Sequence, residues 1–282
     1  LIGLAICLFV FYFPEQPFNP FTGNPLNKDN YEHIRSMPIF ISMWFAFFSL
    51  PTFIFLKDKK REKLSSNTLR KSYDELLNTF REIKQYKNIL NFLIARMLYN
   101  DAILTIFSFG GIYAREKFGW DIEMVLVFGI GLNIAAGLGA FVFGFFDDYL
   151  GAKRTIQISN YAIFIAVVIA VLSTNEQYFW VAGIILGIAS GPNQSASRSL
   201  MGRIVPENKV NEFYGFYAFS GKATSFAGFL LLSVMILLTG SQEIGMMVVS
   251  LLLIAGIYLL GNVDDNSKIK KKKLRESLNK LL

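Results

Sequence analysis

Gly144-Phe145-Phe146-Asp147-Asp148-Tyr149-Leu150-Gly151-Ala152-Lys153-Arg154 is a short acidic and basic turn set between two long apolar runs, residues 122–146 and 155–173. Each run is of the length, roughly 20 helical residues, that crosses a hydrocarbon core of about 30 Å. Charges in so small a gap must lie at a membrane surface. The chain therefore reads as an all-α, polytopic membrane protein.

Composition agrees. Of 282 residues 53% are hydrophobic, 28 are Phe and only 17% are charged, and the mean hydropathy is +0.41. That is too apolar for a domain that must keep a hydrated surface. The net charge of +7 sits in the gaps between apolar runs, so it reads as loops facing anionic headgroups and not as a nucleic-acid surface. A single cysteine, Cys7, excludes a disulfide within the chain, and a single histidine, His33, leaves a His-ligated metal or haem without ligands. No cofactor is expected.

Apolar segments stand at residues 1–13, 37–56, 89–114, 122–146, 155–173, 178–196, 213–239 and 244–262. The first begins in mid-helix, so a longer chain with a transmembrane segment entered part-way is expected. Lys and Arg divide unevenly between the alternate faces: 22 on one side, against Lys28, Arg35, Arg115 and Lys117 on the other. The positive-inside rule puts the 147–155 turn and the C-terminus in the cytoplasm. Residues 64–87 space Leu69, Tyr73, Leu76, Leu77, Phe80 and Ile83 at helical intervals among charges, as an amphipathic helix on that surface does. Lys268, Lys270, Lys271, Lys272, Lys273 and Arg275 make the end a basic tail.

Gly144, Asp148, Gly151, Lys153 and Arg154 match the loop motif of the major facilitator superfamily: a Gly, three residues, Asp, two residues, Gly, then a basic pair. Tyr99-Asn100-Asp101, Ser195-Ala196-Ser197-Arg198-Ser199-Leu200, Phe213-Tyr214-Gly215 and Ser220-Gly221-Lys222-Ala223-Thr224 narrow the match. With them the chain resembles the autophagy-linked vacuolar amino-acid effluxer subfamily and its bacterial relatives. Ala152 and Tyr149 depart from the loop pattern where basic residues are common. The resemblance implies a major facilitator fold with about eight of twelve helices present. Residues 1–56 then end an N-terminal half, 57–88 form a cytoplasmic linker, 89–262 a six-helix C-terminal half, and 263–282 the tail. It also implies a secondary transporter of a small solute, an amino acid in the fungal branch. A bacterial inner membrane is the expected location, or a vacuolar one in a eukaryote. A small-molecule substrate and membrane lipids are the expected partners, and a monomer the expected state.

A charge inside a bilayer costs several kcal/mol unless paired or hydrated, which makes Arg96, Asp101 and Lys222 candidates. At 1.5 Å per residue Asp101 lies about 18 Å into its span and Lys222 about 14 Å into its own, so both fall near the membrane centre. Asp101 is a candidate proton-coupling carboxylate and Lys222 a candidate binder of an anionic substrate group, the two meeting in one conformation. A permanent ion pair joining two helices is the alternative. Arg96 is placed to snorkel. Asn100, Asn133 and Gln194 can bond substrate or bridge helices, and Gly191-Pro192 interrupts the sixth span as a hinge or a helix end. Gly129, Gly131, Gly137, Gly139 and Gly144 slim the fourth span for close helix approach. They do not form a nucleotide loop, having no preceding strand and no Gly-Lys-Ser/Thr after them.

The opening turn has two compatible readings. In one, Asp148 accepts from a neighbouring helix N-terminus while Lys153 and Arg154 bind acidic groups, with Gly144 and Gly151 shaping a conformational latch. In the other it is a topogenic turn. A different class is also open: an interfacial enzyme acting on lipid diphosphates, with Asp147 and Asp148 holding Mg²⁺. A channel or sensor is the third reading, separable by saturable against ohmic flux.

Overall fold

The computed structural model of the chain describes residues 2–20, 22–55 and 83–265, of which 2, 4, 5, 8, 83 and 143–149 by backbone alone. The expected 64–87 helix falls mostly, and the basic tail entirely, outside the described residues. Two compact units separate, Leu1–Lys71 and Ser72–Leu282.

In the first unit, α1 (Ile2–Cys7) runs into a π-helical turn, Leu8–Tyr12, and α2 spans Glu32–Phe55. Cys7 and Phe11 are buried, and Phe11 meets Phe40 of α2 at 5.8 Å between ring centroids. Phe45, Phe47, Phe53 and Phe55 point outward along the rest of α2. Pro38 and Pro51 lie inside this helix.

The second unit holds α3 (Lys87–Phe118), α4 (Ile122–Leu150), α5 (Ala152–Leu172), α6 (Glu176–Ile204), α7 (Val210–Ala223), α8 (Ala227–Thr239) and α9 (Gln242–Gly261). No β-strand occurs among the described residues, only an isolated bridge between Phe18 and Pro25. Helix α6 packs mainly on α4 and α5, α9 mainly on α3, and α9 also touches α5 and α8. Their shared core includes Phe92, Tyr99, Ile106, Ile156, Ile163, Leu200 and Leu253. Outward-facing Leu138, Leu172, Leu237 and Tyr258 give the unit an apolar exterior, which suits lipid as solvent.

Among the described residues, six helical stretches are long and apolar enough to cross a membrane: Glu32–Phe55, Lys87–Phe118, Ile122–Val142, Ala152–Leu172, Glu207–Thr239 and Gln242–Gly261. Of the other two expected spans, 1–13 is represented by α1 and its π turn. Span 178–196 lies within α6, a helix of 29 residues, about 43 Å long. Two expectations change shape. Residues 213–239 cross as two helices, parted at Thr224–Phe226. Gly191-Pro192 does not end the sixth span, because α6 continues through Pro192 to Ile204.

Glycines line the neighbouring helix where that proline stands. Pro192 has no N–H for the carbonyl of Ile188, four residues back. Gly139 of α4 lies so close that a Cβ there would fall 2.1 Å from the Ile188 oxygen. A Cβ on Gly191 would meet the Ala136 oxygen at 2.1 Å, and one on Gly187 the Leu132 oxygen at 2.7 Å. The seam is thus backbone against backbone at Gly187 and Gly191 of α6, while Gly183, one turn earlier, makes room for the Phe128 and Leu132 side chains of α4. Gly139→Ala and Gly191→Ala are each expected to destabilise by about 1–3 kcal/mol, read as a lower unfolding temperature of the purified protein. Gly137→Ala, with nothing within 4 Å of its added Cβ, should leave that temperature unchanged; equal behaviour of all three would refute the seam.

Candidate functional site

Interrupting a helix inside lipid strands backbone donors and acceptors at both new ends. The α7–α8 break is closed partly by its own turn, where the Ser225 N–H donates to the Lys222 carbonyl at 3.2 Å and the Ala227 N–H to the Thr224 carbonyl at 2.8 Å, and partly by one stretch of α3. Leaving α7, the Tyr217 carbonyl accepts from Arg96 Nη1 at 2.9 Å, and the Gly221 carbonyl accepts from Asn100 Nδ2 at 3.3 Å. Arg96 Nη1 also donates to Ser220 Oγ at 2.9 Å, and its guanidinium stacks 3.7 Å from the Tyr217 ring centroid. The Thr224 hydroxyl donates back to the Met97 carbonyl at 3.4 Å. Entering α8, the Gly228 N–H donates to Asp101 Oδ2 at 2.7 Å.

The order of charges along α3 follows the half-helix dipoles. A cation meets the C-terminal end of α7 and an anion meets the N-terminal end of α8. Asp101 is only 3% exposed, and its other oxygen, Oδ1, has no hydrogen-bond partner. Gly228 is required for this approach, since a Cβ there would lie 2.4 Å from Thr105 Oγ1.

The expected site residues therefore sort unevenly. Asp101, Arg96 and Asn100 converge on the break. Lys222 sits at its edge with an exposed side chain and forms no ion pair with Asp101 in this conformation. Arg96 does not snorkel outward but is held by α7. Asn133 is exposed and donates to the Gly129 carbonyl of its own helix at 2.8 Å, and Gln194 is exposed. The residue that bridges is the neighbour, Asn193: its Nδ2 donates to Asn160 Oδ1 at 2.7 Å, with both side chains buried. One turn on, the Ser197 hydroxyl donates to the Asn193 carbonyl at 2.6 Å and lies 2.8 Å from Tyr99 Oη. Asn160 and Asn193 were not singled out from sequence. The available signal was Asn193 and Ser197 four apart on one helical face.

At the turn, Gly151 has φ 84°, a value that only glycine adopts without strain. Lys153 Nζ donates to the carbonyls of Gly261 and Val263, both at 2.7 Å, capping α9 where a cation suits the dipole. Asn88 and Asp264 exchange two hydrogen bonds at the same end, 3.0 and 2.7 Å. Arg154 is exposed. Gly144 is described by backbone alone, and the side chains of Asp147 and Asp148, the acidic half of the latch, lie outside what is described. At the opposite end Lys117 Nζ donates to the Val171 carbonyl at 2.7 Å and to Tyr113 Oη at 2.8 Å, and pairs with Glu243 at 3.8 Å. Gln242 donates to Glu116 beside it.

A multi-pass α-helical membrane protein with buried charges around a discontinuous helix is the class these features define. Residues 1–273 match the family model described as "Vacuole effluxer Atg22 like", and the chain belongs to that family. Among curated relatives, "Uncharacterized MFS-type transporter YxiO" of Bacillus subtilis is 25% identical over 224 residues, 79% of this chain and 52% of the relative. "Autophagy-related protein 22-2" of Aspergillus niger is 22% identical, covering 82% of this chain and 44% of its own. "Autophagy-related protein 22" of Cryptococcus neoformans is also 22% identical, over 78% and 42%. The chain thus spans about half the length of these relatives. The family is described as an effluxer and the Bacillus relative as a transporter, and the lipid-diphosphate enzyme has no support among them.

Arg96→Met keeps the aliphatic stem but removes the bonds to Tyr217 and Ser220. It is expected to destabilise by about 1.5–3 kcal/mol, with Arg96→Lys restoring only part, because an ammonium cannot lie flat on the ring. Thermal unfolding against an Arg154→Met control checks this; parity of Arg96→Met with the control would exclude the cap.

Proposed function

We propose that the chain is part of a secondary active transporter that moves a small solute by alternating access, with residues 89–262 as its six-helix C-terminal half. Residues 1–56 contribute the last helices of the other half, 57–88 a cytoplasmic linker, and 263–282 a cytoplasmic tail. The substrate is an amino acid or related metabolite, Lys222 binds its anionic group, and Asp101 carries the coupling proton. The protein works as a monomer in a bacterial inner membrane.

The observation that carries this reading is Asp101 held by the first turn of α8. Sites of secondary transporters are built at discontinuous helices because their ends present unpaired backbone at mid-membrane, where a charge earns its place only by function or pairing. Family membership supports transport, and the exposed position of Lys222 beside the break supports contact with solute. The 22 basic residues on one face support the cytoplasmic C-terminus.

The test is uptake of a panel of labelled amino acids into proteoliposomes holding the complete transporter under an imposed pH gradient. Asp101→Asn should abolish gradient-driven accumulation while retaining exchange of substrate for substrate. Lys222→Gln should weaken apparent affinity by about tenfold or more, the scale of one lost charged hydrogen bond. Unchanged pH-driven accumulation in Asp101→Asn would overturn the coupling role.

A further inference from the structure

Two buried oxygens beside α8 lack partners. Asp101 Oδ1 and Thr105 Oγ1 are both without a hydrogen bond, in residues 3% and 0% exposed. They stand one turn apart on α3, and both border the place where Gly228 lacks a side chain: a Cβ there would lie 2.4 Å from Thr105 Oγ1 and 3.3 Å from Asp101 Cγ. Thr105 does not make the usual bond of a helical threonine to the carbonyl four residues back, which here is that of Asp101. Leaving a buried hydroxyl and a buried carboxyl oxygen unsatisfied costs free energy, so the pair points to something that joins them.

We propose that Asp101 Oδ1 and Thr105 Oγ1, beside the N-terminus of α8, form a single buried proton site in which Thr105 is the positioning residue. The proposal rests on the reading of Asp101 as the coupling carboxylate and adds its partner. A hydroxyl both donates and accepts. The two oxygens are not bonded to each other in this conformation, so the site closes by rotation of the Thr105 side chain: when Oδ1 carries the proton, its O–H then donates to Thr105 Oγ1, whose own hydrogen turns to the Asp101 carbonyl. When the proton leaves to water, the Thr105 hydroxyl turns and donates to the carboxylate. The proton comes from hydronium on one side of the membrane and returns to water on the other, and no other bond changes. Lys, which only donates, and an aliphatic residue, which does neither, could not serve both states.

A metal cation suits the place less well. It would find two oxygens where hard cations need about six, and the positive end of α8 opposes it. The titratable groups on the packed elements are otherwise occupied or distant. Arg96 bonds α7, and Tyr99 Oη lies against Ser197. Tyr217 lies under Arg96, and Lys222 is exposed. Tyr258 of α9 is 76% exposed, and Glu243 pairs with Lys117 at the bundle end. Helix α8 carries no titratable residue.

The experiment needs no substrate. The complete transporter in lipid nanodiscs is titrated with pH by infrared difference spectroscopy, and the carboxylic-acid band that disappears in Asp101→Asn is followed. Thr105→Val, matched in shape, is expected to displace the midpoint of that band by roughly half to one pH unit, a three- to tenfold change in proton affinity, while Thr105→Ser restores it. The unfolding temperature of each variant is measured alongside, and a midpoint displaced in a folded Thr105→Val protein but restored in Thr105→Ser, which keeps the hydroxyl, reports the site and not a damaged fold. An unmoved midpoint in Thr105→Val overturns the proposal but leaves Asp101 as coupling group. A midpoint that shifts when choline is replaced by sodium overturns it in favour of a cation site. No Asp101-dependent band at any pH defeats the coupling reading itself.

Discussion

The hydrogen bond from the Gly228 N–H to Asp101 Oδ2 is the contact on which the arrangement of this helical unit turns. In lipid a broken helix has no water to finish its ends, and each orphaned backbone group costs several kcal/mol. Helix α3 meets that cost within three turns. Asn100 supplies a donor to the Gly221 carbonyl in the last turn of α7, Arg96 supplies donors to the Tyr217 carbonyl and Ser220 hydroxyl leading up to it, and Asp101 supplies the acceptor for the opening amide of α8. The sense of the charges is set by the dipoles, since exchanging Arg96 and Asp101 would place each against its own sign. The same Asp101 that completes the fold is left with one free oxygen, which joins structure to the proposed chemistry.

Around that break the unit is stapled. Lys153 holds the end of α9 to the α4–α5 turn, and Lys117 joins α3, α5 and α9 at the other end. Both lysines use carbonyls at helix C-termini, where three donors on one ammonium can satisfy more than one orphan. Between the ends, the glycine seam brings α4 and α6 into backbone contact, and the Asn160–Asn193 and Tyr99–Ser197 bonds tie α6 to α5 and α3. Packing and hydrogen bonds must do this work because lipid offers helices no hydrophobic reason to associate. The α7–α8 pair is the one interrupted element within this set of described helices.

Much of the bundle is legible from residues alone. The 144–154 stretch does hold the junction of α4 and α5, but the break is narrower than its composition suggests: α4 runs to Leu150, α5 begins at Ala152, and Gly151 alone, at φ 84°, lies between them. Arg96, Asn100 and Asp101 could be marked because charge and amide are expensive in an apolar run. The misses are equally local in origin. Gln194 and Asn193 are adjacent and chemically alike, but a helix turns about 100° per residue, so one is exposed and the other buried. Thr105 is too ordinary in a membrane helix to stand out, and Gly228 reads as one more small residue until Thr105 is seen against it.

The all-α class, the membrane environment, the approximate spans and the identity of the buried charges belong to the sequence, because transfer from water to lipid is a sum over neighbouring residues and needs no knowledge of partners. The division of residues 213–239 into two helices, the engagement of Asp101 by Gly228 and not by Lys222, and the placing of two unpartnered oxygens, Asp101 Oδ1 and Thr105 Oγ1, beside Gly228 belong to the tertiary structure. Those outcomes depend on which groups meet across 127 residues of chain. In a medium with no competing hydrogen-bond donors, it is that meeting, and not local preference, that decides where a helix can be broken.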